Sequence, residues 1–319
     1  MAMTLTEFQS LADALRGEIR KVIAGQQELI DHLMIALFAR GHCLLEGPPG
    51  TAKTLLAQCL SQVTTLDFGR IQFTPDLMPG DVLGVSLFNF QTNEFRLTRG
   101  PIFTDILLAD EINRAPPKTQ SALLQAMNER QVTIDDTTHD LGEQFFVIAT
   151  QNPIEHEGTY PLPESQLDRF LMRLSVGYPG REAETQMLDA HGEGDRLDEI
   201  GPVATTAQVH AMINAVRTVE VAEPLQAYLV DLADATRRHG DLALGMSPRA
   251  TLALQRAIRA RAAANGRNFA LPDDVKALAQ PVLAHRLIAT PEAQLRGTTA
   301  ADALAEILAA LPVPTGAMR

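Results

Sequence analysis

The octapeptide Gly47-Pro-Pro-Gly-Thr-Ala-Lys-Thr54 follows a short apolar run, His42–Leu45, and leads into the helical run Leu55–Leu60. A strand, a glycine-rich turn and a helix in this order are typical of a phosphate-binding loop, in which backbone N–H groups curl around phosphate oxygens. Lys53 would then lie between the β- and γ-phosphates, and the Thr54 hydroxyl would bind Mg²⁺. The sequence therefore predicts a nucleotide site formed by Gly47, Pro48, Pro49, Gly50, Thr51, Ala52, Lys53 and Thr54.

Ala52 stands where this pattern usually has its second glycine. Alanine fits such a position when the residue already has right-handed helical dihedral angles, as in the first turn of a helix. We therefore expect right-handed backbone at Ala52. The alternative for the whole segment is a chance turn of glycine and proline, which the flanking strand and helix disfavour.

A second apolar run, Ile106-Leu-Leu-Ala, ends in two adjacent acids, Asp110 and Glu111. Asp110 is placed to hold the Mg²⁺ shell, and Glu111, one residue farther, can reach a water in line with the γ-phosphate and act as general base. Strands also end in acids for solubility, but the upstream phosphate-binding loop favours the metal and base interpretation. A base at this place favours hydrolysis over transfer to a bound acceptor.

Four short apolar runs in the first half lack strict alternation, so they fit strands buried on both faces of a parallel sheet. They are His42–Leu45, Phe68–Phe73, Ile102–Ala109 and Phe145–Thr150. Their alternation with helical periods predicts a doubly wound α/β domain over residues 1–178, with hairpins in about 74–103 and 131–141. A linker is predicted for 179–202, and only helical patterns follow, which predicts an all-α domain over 203–319.

Composition excludes several classes of function. The chain has 27 Lys and Arg against 39 Asp and Glu, a net charge of −12, which disfavours non-specific binding to nucleic acids. No apolar run is long enough to span a membrane, and no Cys or His spacing fits zinc. Two cysteines are too few for a disulfide framework and the first residues do not form a secretion signal, so we expect a cytoplasmic protein.

Beyond these patterns, the chain closely resembles the MoxR family of AAA+ ATPases. The phosphate-binding loop corresponds to the family's Walker A motif, and the strand that ends in Asp110 and Glu111 corresponds to its Walker B motif. The other matching segments are Asp110-Glu-Ile-Asn-Arg-Ala-Pro-Pro-Lys-Thr-Gln120, Ala149-Thr-Gln-Asn-Pro153, Leu162-Pro-Glu-Ser-Gln-Leu-Asp-Arg-Phe-Leu-Met172 and Ser247-Pro-Arg-Ala250. Ala52 fits as well, because this family commonly has alanine there. The resemblance implies an AAA+ α/β domain followed by an all-α lid domain.

The resemblance assigns two further residues of the ATPase domain. Asn152 corresponds to sensor 1, whose amide holds the attacking water or contacts the γ-phosphate; the alternative is an asparagine that caps a turn. Arg169 corresponds to the arginine finger, which serves the ATP of the neighbouring subunit and so implies an oligomer. Arg173 is a rival for this role, and an ion pair with Asp168 or Glu164 is the structural alternative for Arg169.

Arg249 corresponds to sensor 2, in the first turn of a lid helix, and is expected to reach back to the γ-phosphate. Val22 and Ile23 resemble the segment that lines the adenine; a hydrophobic staple before a helix is the alternative. Arg256 and Arg259 fall on the same helix face as Arg249, and we interpret them as a solvated basic face.

The resemblance implies Mg²⁺-dependent ATP hydrolysis that drives chaperone-like remodelling, maturation or cofactor insertion of a protein client. It further implies a homohexameric ring with shared active sites and a separate partner that carries a von Willebrand factor A domain. The hairpins would face the pore or the substrate, so Phe88, Phe90 and Phe95 are candidates for gripping a polypeptide, with packing onto their own domain as the alternative for at least two.

Two alternatives to this function stay open. The first is a helicase-like nucleic-acid motor, which the negative net charge and the few aromatic residues disfavour. The second is a binding module that is gated by nucleotide and hydrolyses it slowly. The presence of both Glu111 and Arg169 argues against the second.

Overall fold

A computed structural model of the chain describes residues 3–91, 93–152, 158–190 and 196–314. The strands in chain order are β1 (Cys43–Glu46), β2 (Phe68–Gln72), β3 (Gly84–Asn89), β4 (Glu94–Arg99), β5 (Ile106–Asp110), β6 (Gln131–Ile134), β7 (Thr137–Asp140), β8 (Phe146–Gln151), β9 (Met172–Ser175), β10 (Leu242–Leu244) and β11 (Ile288–Ala289). The helices are α1 (Leu5–Val22), α2 (Gln27–Phe38), α3 (Lys53–Thr64), α4 (Pro79–Leu83), α5 (Pro117–Glu129), α6 (Glu164–Leu167), α7 (Arg181–Ala190), α8 (Thr206–Val216), α9 (Glu223–Arg238), α10 (Pro248–Ala264), α11 (Pro272–Leu283), α12 (Pro291–Leu295) and α13 (Ala300–Ala310).

The first half of the chain forms a five-stranded sheet with the order β2-β5-β8-β1-β9. Every neighbouring pair in it is parallel, and β1, β5 and β8 are buried on both faces, as their uninterrupted apolar sequences predict. Helices cover both sides, and two separate apolar clusters lie on the two faces of the sheet. The predicted doubly wound α/β fold is confirmed.

Two antiparallel hairpins project from this domain. In the first, β3 pairs with β4 from Gly84↔Arg99 to Asn89↔Glu94, and residue 92 of its turn lies outside the described residues. In the second, β6 pairs with β7, and Asp135 and Asp136 form a two-residue turn with positive φ at both positions. Both hairpins interrupt the α/β order, so they add surface to the domain without altering its sheet.

The segment predicted as a linker is partly helical. The helix α7 occupies 181–190, residues 191–195 lie outside the described residues, and a 3₁₀ turn follows at Arg196–Glu199. The helix has acids in its first turn, and it buries Ala183 against Gly25 so closely that a Cβ on Gly25 would lie 2.8 Å from the Ala183 Cβ. The polar composition of this segment predicted a linker, whereas residues 181–190 of it form a short packed helix.

The second half of the chain is helical, as predicted, with one small addition. The strands β10 and β11 form an antiparallel pair that the helical patterns did not predict. The long helix α10 begins after the N-cap Ser247 with proline at its first position, and it packs against α1, α2 and α11. Among the described helices, none combines the length and apolar character that crossing a bilayer requires.

One buried arginine joins the helical domain to the sheet. Arg286 follows α11, its side chain is 4 % exposed, and its Nε donates to Asp168 Oδ1 at 2.7 Å. Its two Nη atoms donate to backbone carbonyls that include those of Phe170 and Leu171, directly before β9. Because a buried guanidinium needs all of these acceptors, it fixes the lid domain to one place beside the sheet.

We expect Arg286→Gln to lower the free energy of unfolding by about 3 kcal/mol or more, because removing one partner leaves Asp168 and several carbonyls unsatisfied. The measurement is urea unfolding at equilibrium. Arg296→Gln is the matched control. Arg296 pairs with an aspartate as well, Asp241 within the helical domain, but its side chain is 58 % exposed. A loss below about 1 kcal/mol is expected for this exposed pair. Equal losses of unfolding free energy in the two variants would contradict the role of Arg286 in fixing the lid domain to the sheet.

Candidate nucleotide site

The phosphate-binding loop connects the carboxyl end of β1 to the amino end of α3. A Cβ on Gly47 would lie 2.1 Å from the carbonyl oxygen of Val176, so only glycine fits there, and Gly50 has a φ of +80°. The Lys53 ammonium donates to the Gly47 carbonyl at 2.7 Å, and the Thr51 hydroxyl donates to the Pro48 carbonyl. The loop thus curls at a helix N-terminus with a lysine folded over it, which suits phosphate groups.

The expectation of right-handed backbone at Ala52 is wrong. Ala52 has φ 60° and ψ 22°, in the left-handed region, and α3 begins one residue later, at Lys53. The loop therefore keeps the geometry for which the general phosphate-binding pattern uses glycine, and an alanine there costs roughly 1–2 kcal/mol in conformational energy.

Thr150 holds together the two acids at the end of β5. On the neighbouring strand β8, its hydroxyl donates to Asp110 Oδ1 at 2.6 Å and accepts the backbone N–H of Glu111 at 2.9 Å. Glu111 itself has a φ of +55°, a backbone conformation that residues other than glycine adopt uncommonly. Thr150 was not among the predicted site residues, although the parallel register that pairs Ala109 with Ala149 places it beside Asp110.

Three further side chains fix the outer oxygens of these acids. Arg70 on β2 pairs with Asp110 Oδ2 at 2.8 Å. Gln72 on the same strand donates to Glu111 Oε2 at 2.8 Å, and Arg114 Nη1 lies 3.0 Å from the same oxygen. Arg114 thus contacts Glu111 of its own chain. These contacts hold both carboxylates at the carboxyl edge of the sheet, next to the phosphate-binding loop.

The oxygen atoms at this edge are of the kinds that bind a magnesium ion. Thr54 lies in the first turn of α3, and its hydroxyl forms no hydrogen bond within the described parts of the chain. Asp110 supplies the nearby carboxylate. Among the residues that the structure describes, no group of three His, Cys, Asp or Glu side chains could form a metal cage. Mg²⁺ is usually held by one or two protein oxygens, with phosphate and water completing its shell.

Asn152 comes directly after β8, the strand that lies between β5 and β1 in the sheet. It is 7 % exposed and therefore largely buried between the acids and the phosphate-binding loop. The turn that Pro153 was expected to begin lies outside the described residues. The structure thus brings the Asn152 position to the same edge as Asp110, Glu111 and the loop.

Arg169 lies at the opposite edge of the sheet. It precedes β9, and its Nη1 donates to the Leu124 carbonyl within α5 at 2.9 Å. Among the described residues it forms no ion pair with Asp168 or Glu164, which were the alternatives. The rival Arg173 is already engaged, since its Nε donates at 2.6 Å to Glu46, the residue before the loop of its own chain.

Arg249, which was expected to reach back to the γ-phosphate, contacts residues away from the phosphate-binding loop in this structure. Its Nη2 donates to Asn128 Oδ1 at 2.6 Å, and its Nε lies 3.6 Å from Asp168 Oδ2. Asn128 is near the end of α5, which runs from the acids back to the amino edge of the sheet, and Asp168 precedes β9. Arg249 therefore lies with Arg169, on the edge opposite the phosphate-binding loop.

Val22 and Ile23 are 3 % and 5 % exposed and belong to the hydrophobic core. A cavity of about 1130 Å³ opens just beyond them, and its wall begins at Gly25. It lies between the start of α2, the residues after β9 and the helices α11 and α13. Val22 and Ile23 thus lie in the core beside this cavity and do not line it, whereas the residues from Gly25 onward do.

Comparisons with known proteins agree with this geometry. The model of the ATPase family associated with various cellular activities matches residues 42–172, and an AAA lid domain matches 234–307. The chain is 41 % identical to the chaperone MoxR1 of Mycobacterium tuberculosis over 285 residues, which is 86 % of this chain and 75 % of that protein.

The chain belongs to the MoxR family of AAA+ ATPases. It is also 44 % identical to YeaC of Bacillus subtilis, an uncharacterized protein, over 93 % of this chain and 92 % of that one. A crystal structure of a protein from Cytophaga hutchinsonii, provisionally described as an ATPase, superposes with a TM-score of 0.90 at 38 % identity and covers 97 % of this chain and 96 % of that one. As a family member, the protein binds nucleotide and is an ATP-hydrolysing enzyme.

We expect Thr150→Val to lower the kcat for ATP hydrolysis roughly tenfold to a hundredfold, because a hydrogen bond to a charged group contributes about 1.5–3 kcal/mol. KM should change little, since Thr150 positions Asp110 and Glu111 and does not contact the loop. The measurement is steady-state phosphate release.

Thr150→Ser keeps the hydroxyl and should recover most of this rate. Thr138→Val is the matched control, because Thr138 is exposed and pairs only with Thr133 across a hairpin. A kcat for Thr150→Val within twofold of wild type would contradict the role.

Proposed function

We propose that this MoxR-family ATPase hydrolyses ATP at sites shared between neighbouring copies, arranged head to tail in a ring that we take to be a homohexamer. The observation that supports sharing is the position of Arg169 and Arg249, which lie together at the edge of the sheet opposite Asp110 and Glu111. One chain cannot bring both sets to the same nucleotide. A head-to-tail contact brings each arginine pair to a neighbour's acids, and it forms a ring when the rotation between neighbours closes.

Each group then has a distinct part in hydrolysis. Lys53 moves from the Gly47 carbonyl to the β- and γ-phosphates, and Glu111 accepts a proton from the attacking water while Asn152 orients that water. Thr54 and Asp110 would hold Mg²⁺, which would supply positive charge to neutralise the phosphates. The arginines of the neighbour stabilise the negative charge that develops on the transferred phosphoryl group.

The sharing of sites is tested with a mixture of two inactive variants. Glu111→Gln and Arg169→Ala are each expected to lose at least 100-fold in kcat, because one lacks the base and the other lacks the finger. An equimolar mixture should regain a substantial part of the wild-type rate, because some contacts join an intact acid edge to an intact arginine edge. The measurement is phosphate release with Mg²⁺, and EDTA should abolish it.

The same mixture with Arg249→Ala in place of Arg169→Ala should also regain activity, which separates a neighbour's arginine from a residue of the same chain. Mixing Arg169→Ala with Arg249→Ala is the control and should stay inactive, since every chain in that mixture lacks one of the two arginines and no contact has an intact arginine edge. A wild-type rate per chain that is independent of protein concentration, with full activity of Arg169→Ala, would contradict shared sites.

We propose that the client is a protein that contacts the β3–β4 hairpin. Phe90 and Phe95 are 89 % and 74 % exposed, and both pack on the half-exposed Phe88 with ring centroids 5.2 and 5.1 Å apart. Such a group of exposed aromatic rings is typical of protein interaction sites. The name of the relative, chaperone MoxR1, supports a chaperone role. We further propose that a separate protein with a von Willebrand factor A domain acts as a partner. The free buried thiols Cys43 and Cys59 suit a reducing cytoplasm.

The client surface is tested with Phe90→Ser and Phe95→Ser together. We expect basal ATP hydrolysis within twofold of wild type, but loss of stimulation by an unfolded model protein, because the aromatic contacts are gone. Leu295→Ser is the matched control, since Leu295 is also 89 % exposed but lies on the helical domain. Unchanged stimulation in the double variant would contradict this surface, and stimulation by single-stranded DNA instead would favour the helicase alternative.

A further inference from the structure

A second cavity, about 440 Å³ in volume, lies where α2 and α5 of the ATPase domain meet α8 and α10 of the helical domain. We call it the arginine cavity, because five arginines line it together with Asn128 and a few apolar residues. The arginines are Arg40, Arg130, Arg217, Arg256 and Arg259. They come from four distant parts of the sequence, so the cluster exists only in the folded chain.

The positive charge of the arginine cavity is not balanced by nearby acids. Glu143 lies 3.3 Å from Arg40 and 3.5 Å from Arg217 and is shared between them. Arg256 and Arg259 form no ion pair with any carboxylate in the described parts of the chain. Among the described residues, Arg130, Arg256 and Arg259 thus form no ion pair with a carboxylate, although Glu143 and Asp140 lie near enough to raise the pKa of Arg130.

The arginines perturb one another. Burial, followed by the charges of Arg249 and Arg40, lowers the pKa of Arg256. Burial, followed by Arg40 and Arg256, lowers the pKa of Arg130 to about 10, which still leaves it charged at neutral pH. Like charges held this close store repulsion that a bound anion would relieve.

Two of these guanidinium groups also have unused donors. The Nε atoms of Arg40 and Arg259 are buried and have no hydrogen-bond partner among the residues that the structure describes. Arg130 differs, because its Nη atoms donate to the backbone carbonyls of Arg40, Glu143 and Phe145 and so hold the cavity wall in place. A buried N–H without an acceptor is costly, so an oxygen-rich ligand would satisfy what the protein leaves open.

We propose that the arginine cavity binds a small polyanion of the phosphate class, such as pyrophosphate or the phosphate groups of a nucleotide. Guanidinium groups donate two parallel hydrogen bonds to phosphate oxygens, and the volume falls within the range of small-ligand pockets. Arg40 and Arg130 belong to the ATPase domain, while Arg256 and Arg259 belong to the helical domain. The ligand would therefore bridge the two domains.

This site also adjoins the arginine edge of the sheet. Asn128 lines the cavity, and the same side chain accepts the hydrogen bond from Arg249. An occupant would thus act on the residue that positions Arg249, and this consequence rests on the role proposed above for Arg249. Binding of the anion does not depend on that role, so the test measures binding and stability without ATP hydrolysis.

The test uses the full chain with Lys53→Ala, which weakens phosphate binding at the loop, in a phosphate-free buffer of constant ionic strength. Isothermal titration calorimetry with pyrophosphate, inorganic phosphate and ADP in separate arms distinguishes the sources of the phosphate group. We expect saturable binding of one ligand per chain. Adding Arg256→Gln and Arg259→Gln should weaken it about tenfold or more, because two charged donors are lost.

Arg238→Gln is the control, since Arg238 is 82 % exposed on α9 and its loss should change the affinity less than about twofold. Thermal unfolding gives a second readout: without ligand, Arg256→Gln should raise the Tm by about 1–2 °C through relief of repulsion, and pyrophosphate should raise the Tm of the parent more than that of the variant. No binding by the Lys53→Ala protein, or equal affinity in the double variant, would overturn the proposal.

Discussion

The five strands of the central sheet all run in the same direction, and most of the functional geometry depends on this. In a parallel sheet, every strand ends at one edge and begins at the other, so the two edges are chemically different. The loop after β1, the acids after β5 and the asparagine after β8 all lie at the carboxyl edge. The residues before β9 and the end of α5 lie at the amino edge, with Arg169 and Arg249.

The contacts that support each edge are of different kinds. At the carboxyl edge, neutral hydrogen-bonding groups and two arginines fix a pair of acids, and Thr150 links them across two strands. At the amino edge, the buried Arg286 joins Asp168 to the helical domain, and Asp168 in turn lies beside Arg249. The helical domain therefore has a direct polar contact with the arginine edge. A movement of the lid domain would change the position of Asp168 and Arg249 through this contact.

Local sequence predicted those parts of the site that are contiguous in the chain. The loop from Gly47 to Thr54 and the pair Asp110 and Glu111 each carry their chemistry within a few residues of one strand. The edge on which Arg249 lies was not predictable in this way, because it depends on which helices of the ATPase domain α10 packs against, here α1 and α2. Thr150 was not predictable for the same reason, because its partner Asp110 is 40 residues away. The arginine cavity was not predictable either, because its arginines come from four separate helices or their ends.

The backbone at Ala52 shows a smaller limit of the same kind. A motif gives the order of residue types, whereas the handedness of a turn depends on how the loop closes against its neighbours. Gly47 is held against Val176, after β9, and this contact is remote in the sequence. The loop shape is thus set partly by β9, the edge strand that pairs with β1.

The separation of acids and arginines on each chain has an arithmetic consequence for assemblies. Under the shared arrangement proposed above, two chains in contact contain one complete site, and an open row always contains one fewer complete site than it has chains. Only closure uses every chain fully, because the last acid edge then meets the first arginine edge. Turnover per chain would therefore rise with the length of an open row and reach its full value only when the row closes.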